Sequence, residues 1–119
     1  MQPHTRAIVA ASAYALVTGE KVAGLFDHVA GRHLRIAAEA QGGHLQGYDG
    51  DRDVRFGGTL PELRDTGEGL SVHMEVHQAA VRGYDRSSAD HFTAEISDRL
   101  VQLYDHAEGA WFSFAVQVA

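Results

Sequence analysis

The sequence predicts a mainly β protein: an antiparallel up-and-down barrel of about ten strands from five tandem β-hairpins, with an N-terminal α-helix that fills or caps the barrel. Three observations indicate this fold. A short pattern built on an aspartate occurs five times, apolar and polar residues alternate around every copy, and the first 18 residues lack that alternation. A repeat of about 20 residues reuses one supersecondary unit. A two-sheet β-sandwich with the same helix is the alternative.

The five hairpins are predicted from the residues around the repeated aspartate. The five aspartates are Asp27, Asp49, Asp65, Asp85 and Asp105. Positions two and four residues before each aspartate, and seven, nine and eleven after it, hold apolar residues, glycine or proline, and none is charged. The interleaved positions are mostly polar. Strict alternation is typical of a half-buried antiparallel sheet with one face in the core and one in water.

The connections favour a closed meander. Each aspartate precedes a loop of about four residues, and several of these loops end in glycine, as at 28–31, 66–69 and 106–109. Glycine supplies the positive backbone dihedral angle that tight hairpin loops need. Short connections make sequential strands neighbours, and closing a long meander removes its exposed edges. We therefore expect one domain over residues 1–119, with the helix in 1–19 and the hairpins in 21–118.

The third hairpin departs from the others. The aspartates are spaced by 22, 16, 20 and 20 residues, and the short interval leaves almost nothing between Leu60 and Pro61. Proline has no N–H to donate to a strand ladder, so it is confined to strand starts, edges and bulges. The strand over residues 62–64 is therefore predicted to be short or to lie at a seam.

Residues 3–18 are predicted to form the helix, with Thr5 as a candidate N-cap and Gly19 as its stop. The segment is rich in alanine, and its apolar residues cover nearly the whole helix surface, which is typical of a helix buried on several sides. Ten tilted strands enclose a radius of roughly 9–10 Å, enough for a slim helix. We predict that the helix runs through the lumen, leaving little room for a substrate. A helix capping one open end is the alternative.

The same segment has features of a targeting sequence. A basic stretch in residues 1–6 precedes an apolar stretch in residues 7–17, with small-residue cleavage patterns. The interpretation adopted is a structural helix of a cytoplasmic protein. The protein is secreted if residues 1–17 act as a signal peptide.

Composition restricts the chemistry. The absence of cysteine excludes disulfides, thiol catalysis and thiolate metal sites. A net charge of −6 argues against nucleic-acid partners. The sequence contains no run of 18 apolar residues, so no membrane span is predicted. None of the eight histidines has the close spacing of a metal motif, so most of them are interpreted as solvated strand and loop residues. No catalytic residue, metal site or cofactor is predicted.

Candidate binding residues come from the aspartates and from the outward aromatic side chains near them. They are Asp27, Asp49, Asp85, Asp105, Tyr48, Tyr84, Tyr104 and Trp111. For the aspartates the structural alternative is capping of their own loops, and for the aromatics it is cross-strand pairing. Neighbouring aspartates are expected roughly 10 Å apart, too far for one calcium ion. A helix antiparallel to the first strand would bring His4 and Arg6 to these carboxylates.

The function predicted from these features is a non-catalytic binding or assembly module that self-associates through its aromatic outer face. Carbohydrate binding is the first alternative, because repeated aspartate–aromatic loops resemble multivalent sugar sites. A small isomerase or cyclase working at the barrel mouth is the second, and it requires space for a substrate. The expected partners are therefore a second copy of the chain or a small-molecule or sugar ligand.

Overall fold

The structure is a computed structural model that describes residues 1–67 and 69–119. Its elements in chain order are α1 (Pro3–Thr18), β1 (Val22–Asp27), β2 (Arg32–Leu34), β3 (Ile36–Gln41), β4 (His44–Asp49), β5 (Val54–Thr59), β6 (Glu62–Asp65), β7 (Ser71–His77), β8 (Ala80–Asp85), β9 (Asp90–Ser97), β10 (Leu100–Asp105) and β11 (Ala110–Val118). All strand pairs are antiparallel.

The strands close into a ten-stranded barrel, which confirms the predicted fold class over the sandwich. From β3 to β11 each strand pairs with the next, and β1 pairs with both β3 and β11. The short β2 pairs with β1 outside this ring and continues into β3 through Arg35. The pairing moves from Leu25–Leu34 to Val22–Ala38, a register shift of one residue. A β-bulge at Arg35 thus divides the second strand of the first hairpin in two.

The repeated aspartates end β1, β4, β6, β8 and β10. Because neighbouring strands run in opposite directions, these five strands all finish at one end of the barrel, called the aspartate end below. The strand after Pro61 is β6, which has four residues and is the shortest strand of the ring. This confirms the prediction of a short strand there.

Helix α1 fills the lumen, as predicted. It contacts β1, β3, β4 and every strand from β7 to β11. Residues 7–15 are between 0% and 2% exposed. The 16-residue helix is roughly 24 Å long, about the length of the barrel wall. Among the described residues, no helix has the length and apolar character needed to cross a bilayer.

The predicted end of α1 is confirmed, whereas its predicted N-cap is not. Gly19 ends the helix with a φ of 74° and donates its N–H to the Ala15 carbonyl oxygen at 2.9 Å, as predicted. The prediction of Thr5 as N-cap was wrong. The N-cap is Gln2, which makes no side-chain capping bond, and Thr5 is buried inside the helix. Pro3 accounts for the earlier start, because its fixed φ suits the first helical position.

Two glycine–phenylalanine pairs shape the inner wall. Gly47 pairs with Phe56, and Gly83 pairs with Phe92. In each pair the phenylalanine ring occupies the space that a glycine side chain would need, so a Cβ added to the glycine would overlap the ring. Where the first hairpin has leucine opposite leucine (Leu25 and Leu34), these hairpins use one large and one absent side chain to fill the same space.

Three positions predicted to face the core are exposed or lie in a turn instead: Ala23, Pro61 and Val76. At Ala23 the pairing between β1 and β11 shifts between Val22 and Gly24, so Val22 takes the inward position. Pro61 lies in the turn between β5 and β6, and Val76 lies next to the turn between β7 and β8. A bulge or a turn breaks the period of two at Ala23 and Pro61, whereas Val76 keeps its register opposite Val81 and is exposed near the end of its strand.

Candidate functional site

The repeat aspartates cap their own loops. One carboxylate oxygen of each accepts a hydrogen bond from a backbone N–H two to five residues later, at 3.0–3.1 Å. Asp49, Asp85 and Asp105 are buried, whereas Asp27 and Asp65 are half-buried. The predicted capping of each loop by its own aspartate is therefore observed in all five hairpins. A role for them in ligand binding stays a prediction.

The start of α1 lies at the aspartate end, as expected for a helix that runs antiparallel to β1. Arg6 Nη1 is 3.4 Å from Asp105 Oδ2, and the Met1 ammonium is 3.0 Å from the same oxygen and 2.8 Å from Asp90 Oδ2. The hydrogen bond from this ammonium lowers the pKa of Asp90. The Arg6 guanidinium also lies 3.8 Å above the centre of the Phe112 ring. These contacts hold the start of the chain against β9, β10 and β11.

A recess of about 610 Å³ lies at this mouth, between the start of α1 and the loops. Its polar lining residues include His4, Arg52, Asp65, Asp85, Ser87 and Ser88. The carboxylate of Asp85 accepts hydrogen bonds from the Ser87 N–H at 3.0 Å and from the Ser88 hydroxyl at 2.7 Å. The volume suits a small substrate, so the enzymatic alternative stays a prediction. Among the described residues, no group of three or more histidine and acidic side chains is placed to hold a metal ion.

The outward aromatic side chains pair with rings on neighbouring strands and loops. The ring centres of Tyr104 and Trp111 are 5.1 Å apart, and those of Tyr84 and His91 are 4.7 Å apart. The Phe26 ring lies 4.8 Å from that of His33. The predicted cross-strand pairing is therefore observed at these sites. Tyr48 differs, because it pairs with Ala37 and Arg55 across the strands and is 41% exposed.

The histidine partners of these rings were missed by sequence reasoning. Four histidines contact the repeat aromatics: His28, His33, His91 and His106. The sequence did contain a signal, because each lies either one or six residues after a repeat aspartate. All four are exposed strand or loop residues, as predicted, and the ring contacts are made at the surface. Each of the two positions holds histidine in two of the five hairpins.

The outer faces of three neighbouring strands, β10, β11 and β1, carry no charged side chain. This uncharged wall consists of Leu100, Gln102, Tyr104, Trp111, Ser113, Ala115, Gln117, Gly24 and Phe26. Trp111 is 50% exposed on it. By contrast, the outer faces of β6, β7 and β8 carry Glu62, Arg64, His73, Glu75 and Arg82. Charge is thus distributed unevenly around the barrel.

Glu62 organises ion pairs on that charged side. It accepts hydrogen bonds from both terminal nitrogens of Arg86, one of them at 3.0 Å, and lies 3.3 Å from Nδ1 of His73. The bonds from Arg86, with a smaller contribution from His73, lower the pKa of Glu62. Charged side chains on this side of the barrel thus pair with one another, as is typical of a solvated surface.

The bulge at Arg35 is held by the loop that follows β4. The Arg35 backbone N–H donates to Asp51 Oδ2 at 3.0 Å, and its Nε donates to Asp51 Oδ1 at 3.0 Å. Nη2 of Arg35 donates to the Gly50 carbonyl oxygen at 2.9 Å. The backbone bond and then the guanidinium bond lower the pKa of Asp51. The carboxylate replaces the ladder partner that the bulged residue lacks.

Replacing Asp51 by alanine is expected to lower the free energy of unfolding by about 0.5–1 kcal/mol at neutral pH, because an exposed backbone N–H and guanidinium exchange their acceptor for water. The folded state has the lower pKa. The stabilisation is therefore present above the unfolded pKa of about 3.9, and it is lost as pH falls through the folded pKa. Denaturant unfolding of both proteins across this range measures the difference. Glu108→Gln, at an exposed carboxylate, is the control; a difference independent of pH would contradict the prediction.

The structure brings only some of the predicted binding residues together. Tyr104 and Trp111 share one ring contact, the aspartates share one end of the barrel, and Tyr48 and Tyr84 lie apart on β4 and β8.

In comparisons with known proteins, the chain matches no protein-family model, no curated protein and no solved structure.

Proposed function

We propose that the protein is a non-catalytic binding and assembly module that associates with a second copy of itself through the uncharged wall. The observation that carries the proposal is the wall itself: three adjacent strands without an outward charge, with Trp111 half exposed. Interface cores are depleted in charged residues and enriched in aromatic ones. The helix in the lumen supports an external rather than an internal binding surface.

The distribution of charge favours a second copy as the partner. With a net charge of −6, two copies repel each other in most orientations. Contact through the uncharged wall brings no like charges together, so this orientation is electrostatically the least costly. Self-association through one shared patch is also the commonest form of homo-oligomer.

The shape of the outer face of β11 supports a two-fold arrangement. Trp111 protrudes at one end of the strand, whereas Ser113 and Ala115 are small. Trp111 and Ala115 are four residues apart, or roughly 13 Å along a strand. A two-fold axis near Ser113 would place the Trp111 ring of each copy over Ala115 of the other. The surface is then complementary to itself.

The size of the wall sets the expected affinity. Three strands spaced about 4.8 Å apart and about 25 Å long present roughly 350 Å² per copy. A stable dimer buries about 800 Å² per partner. We therefore expect weak, reversible association with a dissociation constant on the order of 10⁻⁴ M.

Sedimentation velocity from about 10 µM to about 1 mM protein tests this proposal, because that range brackets the expected dissociation constant. The weight-average mass of the wild type should rise towards that of a dimer. Ala115→Lys puts a charge on the middle strand of the wall, where the Trp111 ring of the other copy would lie, and should keep the protein monomeric. Tyr48→Ala removes an exposed aromatic from another face and should leave association unchanged. A wild type that stays monomeric throughout would overturn the proposal.

Carbohydrate binding is the second candidate function. It is favoured by the open ring of Tyr48, whose cross-strand neighbours are Ala37 and Arg55 rather than other rings. Its site would lie on a different face from the uncharged wall, so the two functions can be tested separately.

A further inference from the structure

We propose that a groove across the outer face of β3, β4 and β5 binds a neutral saccharide, with a sugar ring stacked on Tyr48. The open groove has a volume of about 800 Å³. Its outward lining includes Lys21, Ala37, Glu39, Gln46, Tyr48 and Arg55. This inference deepens the second candidate function by naming its site and ligand class. It does not depend on self-association.

Tyr48 is the open member of a set of three equivalent tyrosines. Tyr48, Tyr84 and Tyr104 each directly precede a repeat aspartate. The Tyr84 ring contacts His91, and the Tyr104 ring contacts both His106 and Trp111. These contacts leave Tyr84 and Tyr104 half-buried, whereas Tyr48 is 41% exposed.

The lack of a ring partner produces the opening. Tyr48 lies between Ala37 on β3 and Arg55 on β5, whereas Tyr84 lies opposite His91 on β9 and contacts its ring. Neither cross-strand neighbour of Tyr48 has a ring to cover it, so the sheet is recessed beside Tyr48. Sugar rings present flat C–H faces, and an exposed aromatic ring with a polar edge offers them both apolar contact and hydrogen bonding.

The polar groups of the groove already form an ordered network. Gln46 Nε2 donates to Glu39 Oε1 at 2.9 Å, and Lys21 Nζ lies 3.4 Å from Glu39 Oε2. Amide, carboxylate and ammonium groups therefore line up next to the aromatic surface. Sugar hydroxyls both donate and accept hydrogen bonds, so a rim that mixes donors and acceptors suits them.

Charge balance disfavours a strongly charged ligand. The groove has two cationic residues, Lys21 and Arg55, and two carboxylates, Glu39 and Asp53. An anionic ligand such as a phosphate or an acidic sugar would gain from the cations and lose a comparable amount to the carboxylates. The chemistry therefore favours a neutral polyhydroxylated ligand.

A hydrogen bond holds the tyrosine ring in place before any ligand binds. The Tyr48 hydroxyl donates to Asp53 Oδ1, in the loop between β4 and β5. This bond also raises the pKa of the phenol. A side chain that is already ordered loses less conformational entropy on binding, which improves affinity without additional contacts.

The test is a titration followed by ¹H–¹⁵N correlation spectra, with cellotriose and maltotriose as neutral probes and trigalacturonic acid as the charged one. At least one neutral probe should produce saturable shifts in the amides of residues 37–39, 46–48 and 55. Tyr48→Ala should weaken this binding at least about tenfold, since it removes the stacking surface. Tyr84→Ala, the matched variant at the equivalent repeat position, should retain it.

Three results would overturn the inference: no saturable shift with either neutral probe, equal binding by Tyr48→Ala and the wild type, or shifts centred on Trp111 or the barrel mouth. Thermal unfolding of Tyr48→Ala checks that it is folded. The Ala115→Lys variant separates this inference from the proposed self-association, because it should bind the saccharide normally while remaining monomeric.

Discussion

Replacing Ala11 by leucine is expected to destabilise the protein by about 3 kcal/mol or more, or to prevent folding. Ala11 is fully buried in the middle of a helix that contacts strands around most of the barrel. The added methylene groups would have to displace the helix or widen a closed ring of hydrogen-bonded strands. Neither element can move easily, because Ala11 and its neighbours Ala10 and Ser12 are all fully buried. Far-UV circular dichroism and thermal unfolding measure the effect.

Val17→Leu is the matched control for the lumen. Val17 lies in the last turn of the same helix and is half-buried, so one additional methylene group should cost less than about 1.5 kcal/mol. If Ala11→Leu proved as stable as Val17→Leu, the lumen would not be closely packed around α1. The barrel would then have internal space for a ligand, contrary to the proposal of an external binding surface.

Gly83→Ala should also be strongly destabilising. A Cβ at this position would overlap the Phe92 ring and the backbone carbonyl oxygen of His73. The Phe92 ring is 1% exposed, so it has no open space to move into, and the carbonyl belongs to the neighbouring strand. We expect a loss of about 3 kcal/mol, which corresponds to a fall in melting temperature of roughly 10 °C. Chemical and thermal unfolding both measure this loss.

Two variants separate the clash from a general effect of changing a glycine in a strand. At Gly24 an added Cβ would meet the flexible end of Gln117 at 3.3 Å, so Gly24→Ala should cost much less than Gly83→Ala. Combining Gly83→Ala with Phe92→Leu should recover part of the stability, since the smaller side chain leaves space for the new methyl group. If Gly24→Ala and Gly83→Ala were equally destabilising, the ring clash would not be the cause.

Much of the fold could be predicted because its two signals are local and repeated. The alternation around five aspartates indicates which strand face is buried, and one register error would expose the entire core. The alanine-rich segment before Gly19 identifies a slim, apolar helix of the right length for the lumen. Both signals depend on the nearest neighbours along the chain, which the sequence contains.

The candidate sites were less predictable. Tyr48, Tyr84 and Tyr104 are equivalent in the sequence, but they differ in exposure because of residues on other strands. Arg55 and His91 each lie on the strand after a tyrosine, and the alternation that predicts the strands does not predict which side chain covers a ring. The irregular pairing of β1 depends on how that strand is shared between β3 and β11 when the barrel closes.

By itself, the sequence determined the hairpins, the common end of the aspartates and the character of the helix, because hydrophobic periodicity and loop chemistry act over a few residues. Tertiary structure alone decided which outer face is free of charge, which tyrosine ring stays exposed and where the hydrogen-bonded pairing of the strands is interrupted. Those properties arise only when strands become neighbours in space: closing β11 onto β1 joins three uncharged strand faces, and pairing β3 with β4 puts a methyl group beside Tyr48.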